Sequence, residues 1–223
     1  MKVADLHPWP TEASEAETIQ DRLRPLADLT SPGPATVRTV AGLDVAYADD
    51  RLAAAAVVLD AESLDVVEEA TVLDRPGFPY VPGLFAFREL PALVGALRRL
   101  SVTPDLLVCD GHGLAHPKRF GLACHLGVLT GLPSIGVGKT RLVGSYDEPG
   151  GERGAWSPVS DGGQTVGRAL RTQTGVRPVF VSVGHRADLD TACALTLRFA
   201  PRHRLPETTR RADHLSRRTL TSR

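Results

Sequence analysis

The sequence lacks the residues and runs that mark several classes of protein. It has only three cysteines in 223 residues. These form no CxxC pair and lie in apolar stretches, so we expect buried, reduced thiols instead of a disulfide framework or a zinc site. No window approaches the roughly 18 apolar residues of a membrane-spanning helix, and residues 1–10 lack the apolar core of a signal peptide. We therefore expect a cytoplasmic protein with no membrane partner. Because the sequence also has no repeats or low-complexity segments, we expect one domain over residues 1–223.

The sequence also lacks a net charge of either sign. Lys and Arg together number 26, as do Asp and Glu, so the overall basic excess of many nucleic-acid-binding proteins is absent. The charges are nevertheless unevenly distributed. Residues 1–69 hold fourteen acids against five Lys and Arg, whereas residues 198–223 hold eight arginines against two acids. A neutral chain with a basic tail permits a local anion-binding face.

Three strands in succession, followed by alternating helices and strands, are what the apolar periodicity predicts. A helix near Ser14, introduced by a capping box, precedes them. The predicted strands cover residues 37–47, 52–59, 65–73, 106–109, 134–137 and 179–183, with a Gly-rich segment at 144–167; the predicted helices cover residues 84–100, 119–130, 189–199 and the tail from Thr208. This order predicts an α/β fold with a mixed sheet, whose first three strands are antiparallel and whose two faces both carry helices.

The run from Asp110 to Gly121 carries the strongest functional signal. It reads Asp-Gly-His-Gly-Leu-Ala-His-Pro-Lys-Arg-Phe-Gly and follows a short apolar strand, so a carboxylate appears where a buried strand ends. Glycines on both sides of His112 let a ligand approach the backbone closely, and another histidine, a lysine and an arginine follow. The alternative is a strand-to-helix turn in which the aspartate caps the helix and the basic residues are solvated. The run alone leaves both interpretations open.

Asp44 is an acid inside the first predicted strand, between Leu43 and Val45. A carboxylate buried in an apolar strand is unfavourable without a partner, which could be a cation, a metal or solvent at an edge. If this strand lies beside the one that ends at Asp110, both carboxylates fall within reach of one hard divalent cation such as Mg²⁺, which takes oxygen ligands. The simpler alternative is an ion pair between Asp44 and an arginine. Glu89, in a predicted helix, is expected by itself to face solvent.

Lys139 ends a segment, Gly136-Val-Gly-Lys-Thr140, that looks like the end of a phosphate-binding P-loop. That pattern needs a glycine five residues before Gly138, and Pro133 stands there instead. A proline has a fixed φ and no N–H group, so it does not suit a backbone cradle for phosphates. An ATP-dependent switch protein is therefore a disfavoured alternative.

Taken together, these segments resemble the endonuclease V family, the deoxyinosine-directed nucleases of the ribonuclease H-like fold. The resemblance covers almost the whole chain, from Val40-Ala-Gly-Leu-Asp-Val-Ala-Tyr47 to Leu205-Pro-Glu-Thr-Thr-Arg-Arg-Ala-Asp213. Its most specific segments are Pro79-Tyr-Val-Pro82, Phe87-Arg-Glu89, Asp110-Gly-His-Gly-Leu-Ala-His-Pro117 and Ile135-Gly-Val-Gly-Lys139.

The resemblance implies an endonuclease that uses Mg²⁺, with Mn²⁺ as a substitute ion. It would act on inosine-containing DNA, cutting the second phosphodiester bond 3′ to the lesion and leaving 3′-hydroxyl and 5′-phosphate ends. Asp44, Glu89 and Asp110 are implied to form the acidic metal site, with Asp213 as a further acid, or its neighbour His214 facing the metal in its place.

Two basic side chains complete the implied catalytic set. Lys139 would place a positive charge on the scissile phosphate. His116 would either contact a phosphate oxygen or assist a proton transfer, and the sequence does not choose between these roles.

The segment Pro79-Tyr80-Val81-Pro82 is expected to act as a wedge in the DNA. An enzyme that recognises an altered base takes that base out of the stack, and a stiff loop carrying an aromatic ring can fill the vacated space. The alternative is that Tyr80 packs on its own domain. The pocket for the extruded hypoxanthine is expected among backbone groups and apolar walls, namely Gly83, Leu84, Gly111, Gly113, Gly136 and Leu142.

Two other functions remain as alternatives. One is an inosine-specific endoribonuclease, since RNA is a possible partner; the other is a non-catalytic nucleic-acid-binding protein of the same fold, which the complete acidic set disfavours. The protein is expected to be monomeric.

Overall fold

The computed structural model describes residues 1–222, which form eight strands and five α-helices. The strands are β1 (Thr39–Ala48), β2 (Arg51–Asp60), β3 (Val66–Asp74), β4 (Leu106–Cys109), β5 (Ser134–Gly138), β6 (Trp156–Asp161), β7 (Gln164–Leu170) and β8 (Val179–His185). The helices are α1 (Ala13–Leu23), α2 (Phe85–Arg99), α3 (Leu122–Thr130), α4 (Leu189–Phe199) and α5 (Glu207–Thr221).

The eight strands form one sheet in the order β3-β2-β1-β4-β5-β8-β7-β6. The first three strands are antiparallel neighbours, as predicted, because short turns after Ala48 and Asp60 return the chain at once. β4 pairs parallel with β1, and β5 pairs parallel with β4, so a helix provides each crossover. β8 returns antiparallel to both β5 and β7. The sheet is therefore mixed, with β1 and β4 side by side near its middle.

Helices cover both faces of this sheet, which confirms the predicted architecture. α2 and α3 lie on one face, where Leu43 and Leu93 are at most 1% exposed. α4 and α5 lie on the other, where Phe199 belongs to a second buried cluster. Because alternate residues of a strand point to opposite faces, Leu43 faces α2 and α3, and Gly42 and Asp44 face α5.

The Gly-rich segment 144–167 contains strands that the sequence analysis missed. β6 and β7 form an antiparallel hairpin closed by Gly162 and Gly163, whose φ angles are +59° and +77°. A two-residue hairpin turn with positive φ at both positions favours glycine, and a Gly-Gly pair between short strands is the signal that predicts it. The hairpin extends the sheet beyond the predicted strands.

α3 begins at Leu122, three residues later than the start predicted at residue 119. Arg119 has φ +55°, in the left-handed region, and therefore cannot belong to a right-handed helix. Its guanidinium donates to the carbonyl of His116 at 3.0 Å and pairs with the Asp161 carboxylate at 2.7 Å. Arg119 thus connects the loop before α3 to the β6–β7 hairpin.

The three cysteines are buried and free, as predicted from their apolar surroundings. Burial raises the pKa of the Cys124 thiol to about 12, which keeps it protonated and unreactive. Within residues 1–222, no helix has the length and apolar character needed to cross a membrane.

Helix α5 lies directly on β1 at Gly42. A Cβ atom at this position would be 2.0 Å from the backbone oxygen of Thr208, in the first turn of α5. Only a residue without a side chain allows this approach, which brings Asp213 and Ser216, further along the same helix, over the sheet.

We predict that Gly42→Ala destabilises the protein by at least the roughly 1–3 kcal/mol that is typical of overpacked interiors. The clashing atoms belong to backbone, so a side-chain rotation cannot relieve them. Gly77→Ala is the matched control, because no atom lies within 4 Å of the added Cβ, and its stability should stay within about 0.5 kcal/mol of wild type. Urea denaturation measures both variants; equal midpoints would show that α5 does not rest this closely on β1.

Candidate active site

Asp44 and Asp110 meet at the junction of β1 and β4. The two strands are parallel with Leu43 opposite Cys109, and the Asp110 N–H donates to the Leu43 carbonyl at 3.1 Å. The next residue of each strand is an aspartate, and their carboxyl groups are in hydrogen-bonding contact. The register of two strands therefore brings together acids that are 66 positions apart in the sequence.

The surroundings of Asp44 perturb its carboxyl group strongly. It is 8% exposed, and burial, followed by the charge of Asp110, raises its pKa to about 7; Asp213 acts in the same direction. The Ser216 hydroxyl opposes this shift by donating to Asp44 Oδ2 at 3.0 Å. A buried, crowded carboxyl group of this kind favours a nearby cation.

Lys139 supplies one positive charge to this cluster. Its Nζ lies 2.5 Å from Asp110 Oδ2 and 4.0 Å from Asp213 Oδ1. Burial acts to lower the pKa of this ammonium, but the hydrogen bond and charge of Asp110 outweigh it and the pKa is raised. Lys139 follows β5 directly, and the preceding Gly136-Val-Gly138 segment is part of that strand. The segment that looked like a P-loop is therefore extended and pairs with β4 and β8 instead of cradling a phosphate.

Glu89 lies in α2 on the other side of the carboxylate pair. The expectation that a helical Glu faces solvent is wrong for this residue, which is only 6% exposed. Its carboxylate Oε1 is 3.4 Å from the hydroxyl of Tyr47, which donates to it. Burial first, and then the charges of Asp44 and Asp110, raise the pKa of Glu89 well above its ordinary value.

Asp213 and His214, the two candidates in α5 for the residue that faces the metal site, have different surroundings. Asp213 is half-buried; its Oδ1 faces Lys139, and its Oδ2 accepts from Arg217 Nε at 3.0 Å. His214 is exposed and lies among arginines on a different face of the helix, beside Arg210 and Arg218. Asp213 is therefore the residue that the fold directs toward the carboxylates.

The donor set suits a hard divalent cation. Asp44 and Asp110 offer oxygen ligands with too much negative charge for one lysine to balance, which is the chemistry that Mg²⁺ prefers. Among residues 1–222, no group of three or more His, Cys, Asp or Glu side chains is gathered around one point as a closed cage. Glu89 lies close enough to both aspartates for their charges to raise its pKa, and its place in the predicted set of three ligands stays a prediction. A pair is sufficient, since Mg²⁺ binds through one or two carboxylates and completes its shell with water and substrate phosphate.

A cavity of about 400 Å³ opens beside the carboxylates. Asp110, Glu89 and Lys139 form one side of it. Of the predicted base-pocket residues, Gly83, Gly111 and Leu142 line it.

The other three predicted base-pocket residues lie elsewhere. Leu84 is 3% exposed because its side chain packs in an apolar cluster below the loop. Gly113 and Gly136 are packed closely against backbone. A Cβ at Gly113 would be 2.0 Å from the Val183 carbonyl oxygen, and a Cβ at Gly136 would be 2.6 Å from the Gly111 carbonyl oxygen. These two positions allow strands and loop to approach, and do not form cavity wall.

Two histidines help to shape the cavity. His116 is 5% exposed, and burial lowers its pKa to about 4, so its ring is neutral at physiological pH. Its Nδ1 accepts from the Lys118 N–H at 3.2 Å. His112, which the sequence analysis used only to mark a glycine-flanked turn, lines the cavity, with its Nε2 3.0 Å from the Thr140 carbonyl oxygen.

The Pro79–Pro82 loop stands at the mouth of the cavity. Tyr80 is 69% exposed and meets Phe85 edge to face, with ring centroids 5.7 Å apart. Val81 packs partly against the cluster below, and Pro82 lines the cavity. The loop is anchored on one side and presents a free aromatic ring on the other.

A mixed sheet of this kind, with acids on two adjacent central strands and a lysine between them and a cavity, defines a class of enzyme. It is that of the ribonuclease H-like nucleases, which hydrolyse phosphodiester bonds. A sequence profile described as Endonuclease V matches residues 21–214, and the chain belongs to the endonuclease V family. Nucleases of this family are generally metal-dependent.

Individual relatives agree over nearly the full chain. Endonuclease V of Streptomyces avermitilis is 59% identical over 215 residues, which covers 95% of this chain and 94% of the relative. The crystal structure of Bacillus subtilis endonuclease V is 33% identical, with a TM-score of 0.94, and the match covers 99% of this chain and 98% of that one. The Ciona intestinalis endonuclease V structure, in complex with a 24mer DNA containing an inosine followed by a ribo-adenosine, is 25% identical with a TM-score of 0.80 and coverage of 93% and 97%.

Asp44→Asn should stabilise the metal-free protein at high pH. The pKa of Asp44 is about 7 in the folded state, against 3.8 for an unperturbed aspartate, so the folded state loses stability as the pH rises from about 4 through 7. At pH 8 in a chelator, the variant should melt several degrees above wild type, and the difference should vanish below about pH 4.

With a divalent cation present at pH 8, the wild-type protein should have a higher Tm than Asp44→Asn. Mg²⁺ bound to the folded carboxylates should raise the wild-type Tm at pH 8 and raise that of Asp44→Asn much less. Asp65→Asn, at an exposed position after β2, is the isosteric control and should behave as wild type. Parallel melting curves for wild type and Asp44→Asn at every pH would contradict the repulsion between the buried acids.

Proposed function

We propose that the protein is a Mg²⁺-dependent endonuclease that acts on DNA containing deoxyinosine. It hydrolyses the second phosphodiester bond 3′ to the lesion and leaves 3′-hydroxyl and 5′-phosphate ends. The observation that carries this proposal is the joining of three parts in one place: the Asp44–Asp110 carboxylate pair, a cavity beside it, and an exposed aromatic loop at the mouth of that cavity. The inosine-containing DNA bound by the Ciona relative supports the choice of substrate.

Asp44 and Asp110 would hold the cation, and Glu89 and Asp213 would orient its water ligands. When bound, Mg²⁺ supplies an activated water and neutralises the charge that develops on the scissile phosphate. The pKa values of Asp44 and Glu89, raised in the metal-free protein, fall when a cation approaches, so both groups would become ionised ligands or acceptors.

Lys139 contributes a charge that the protein holds in place. Its ammonium is tied to Asp110 and so stands at the boundary between the carboxylates and the cavity, where a substrate phosphate would enter. His116 is neutral, and its Nδ1 accepts from the Lys118 N–H, which favours a positioning role over proton transfer. It would fix the loop after Asp110 at the cavity wall, beside Gly83.

The Pro79–Pro82 loop would separate the strands of a duplex. The exposed ring of Tyr80, supported from below by Phe85, could take the place of the extruded base and stack on its neighbours. Gly83, Gly111 and Leu142 would then receive that base inside the cavity.

Asp110→Asn should abolish cleavage and leave lesion binding nearly intact. The substitution removes ligand charge and preserves shape, so the single-turnover rate in Mg²⁺ should fall on the order of a thousandfold, equivalent to the several kcal/mol supplied by a catalytic metal. Asp65→Asn serves again as the control and should cut normally. A near-wild-type rate for Asp110→Asn would mean that the metal site lies elsewhere, and equal cutting of inosine DNA and matched adenine DNA would refute the substrate.

The same assay decides between DNA and RNA. Matched DNA and RNA strands that contain one inosine should be cut at rates that favour DNA; faster cutting of the RNA would make the protein an inosine-specific endoribonuclease.

Tyr80→Ala should lose roughly 1–3 kcal/mol of affinity for an inosine-containing duplex, the range found for base–aromatic stacking. Its melting temperature should change little, because the ring is 69% exposed. Phe78→Ala is the matched control: it removes an aromatic ring from the same segment, but one that is 2% exposed, so it should lose roughly 3–5 kcal/mol of stability. A stability loss for Tyr80→Ala with unchanged affinity would show that the ring is a packing residue.

A further inference from the structure

A second cavity, of about 640 Å³, adjoins the one beside the carboxylates. The two cavities share the segment Lys139-Thr140-Arg141 in their walls, so they are neighbours. Neither the carboxylates nor the wedge loop reaches the second cavity, and the proposed function as stated leaves it without a role.

The second cavity carries an uncompensated positive charge. Arg141, Arg177 and Arg204 line it, and none of them forms an ion pair with any acid among residues 1–222. Its one carboxylate, Glu148, is already paired with Arg171 at 2.7 Å. Cationic side chains gathered in a concave surface attract an anion.

The three arginines differ in how far their guanidinium groups already bind to the protein. The Arg204 guanidinium donates to three backbone carbonyls, those of Lys139 at 2.6 Å, Pro178 at 2.8 Å and Arg177 at 3.0 Å. Burial, and then the charge of Arg177, lower its pKa, as expected where cations are crowded together. Arg141 and Arg177 are exposed and have no such hydrogen bonds within the described chain.

The base of the cavity is aromatic. Tyr146 meets Phe180 edge to face, with centroids 5.1 Å apart, and Phe180 is 8% exposed. Fixed rings below exposed arginines are the combination that binds single-stranded nucleic acid, in which sugars and bases rest on rings and phosphates contact cations.

We propose that this groove, defined by Arg141, Tyr146, Arg177 and Phe180, binds the DNA strand on the 3′ side of the bond that is cut. The inference rests on the proposed function for its direction. If the extruded base occupies the first cavity and the cut falls two bonds further in the 3′ direction, the strand must pass Lys139 and continue beyond it. The groove begins at Lys139, where that continuation would lie.

The test uses single-stranded DNA oligonucleotides with one deoxyinosine and equal 5′ arms. One set has about eight nucleotides beyond the cut and the other has about two, so only the first can fill the groove. Single-turnover cleavage by the intact Mg²⁺-loaded enzyme gives the half-saturating protein concentration and the saturating rate. Arg177→Gln, which changes a side chain that lines the groove and not the first cavity, is compared with Arg38→Gln, an exposed arginine that immediately precedes β1.

With the long 3′ arm, Arg177→Gln should need roughly tenfold more protein for half-saturation, the effect of losing about one charged hydrogen bond, with a saturating rate within about twofold of wild type. With the short arm it should match wild type. The salt dependence of binding to the long arm should also weaken by about 0.7 for each lost phosphate contact. Arg38→Gln should show none of these effects.

The outcomes separate the two proposals. An equal loss on long and short arms, no loss on either, or a loss that follows the length of the 5′ arm would each overturn the groove assignment while leaving inosine cleavage intact. Cleavage of the matched adenine strand at the same rate would refute the proposed function, whatever the arginine variants do.

Discussion

Burying Asp44 against Asp110 creates an electrostatic repulsion that the surrounding elements are arranged to offset. Ser216 from α5 donates to one carboxylate, and the ammonium of Lys139 at the end of β5 binds the other. Glu89 from α2 adds a second buried acid beside Asp44. Strands, a helix from each face and the loop after β5 all contribute, so the site depends on the whole sheet being assembled. The residual imbalance of charge is what a divalent cation would correct.

Much of the fold could be predicted from the sequence, because apolar periodicity reports burial directly. β4 and α4 have the bounds expected, and the antiparallel β1–β2–β3 arrangement follows from two short turns. The β6–β7 hairpin was missed because its alternation is short and the whole segment 144–167 was interpreted as Gly-rich, although Gly162-Gly163 marks its turn. The start of α3 was misplaced because Arg119 has a left-handed backbone conformation, which an arginine in a sequence does not predict. The contacts of its side chain stabilise this conformation.

The candidate site was predictable where it depends on strand register and not where it depends on packing. Asp44 and Asp110 could be placed side by side from two adjacent strands. The burial of Glu89 could not be predicted, because it depends on how α2 lies across the sheet. Gly113 and Gly136 were assigned to the base pocket because glycine permits close approach, but the approaching group is the protein's own backbone. Which neighbour a glycine accommodates is a tertiary property.

The contact between Ser216 and Asp44 joins residues 172 positions apart, so the site cannot be completed until nearly the whole chain has been synthesised. While the ribosome is still making the chain, β1 emerges long before α5, so Asp44 exists for most of synthesis without the helix that completes its surroundings. Closing so long a loop is among the last events of folding, because the entropy cost of bringing distant segments together is recovered only when the intervening sheet is in place. A truncated or nascent chain therefore carries the acids but not the assembled centre.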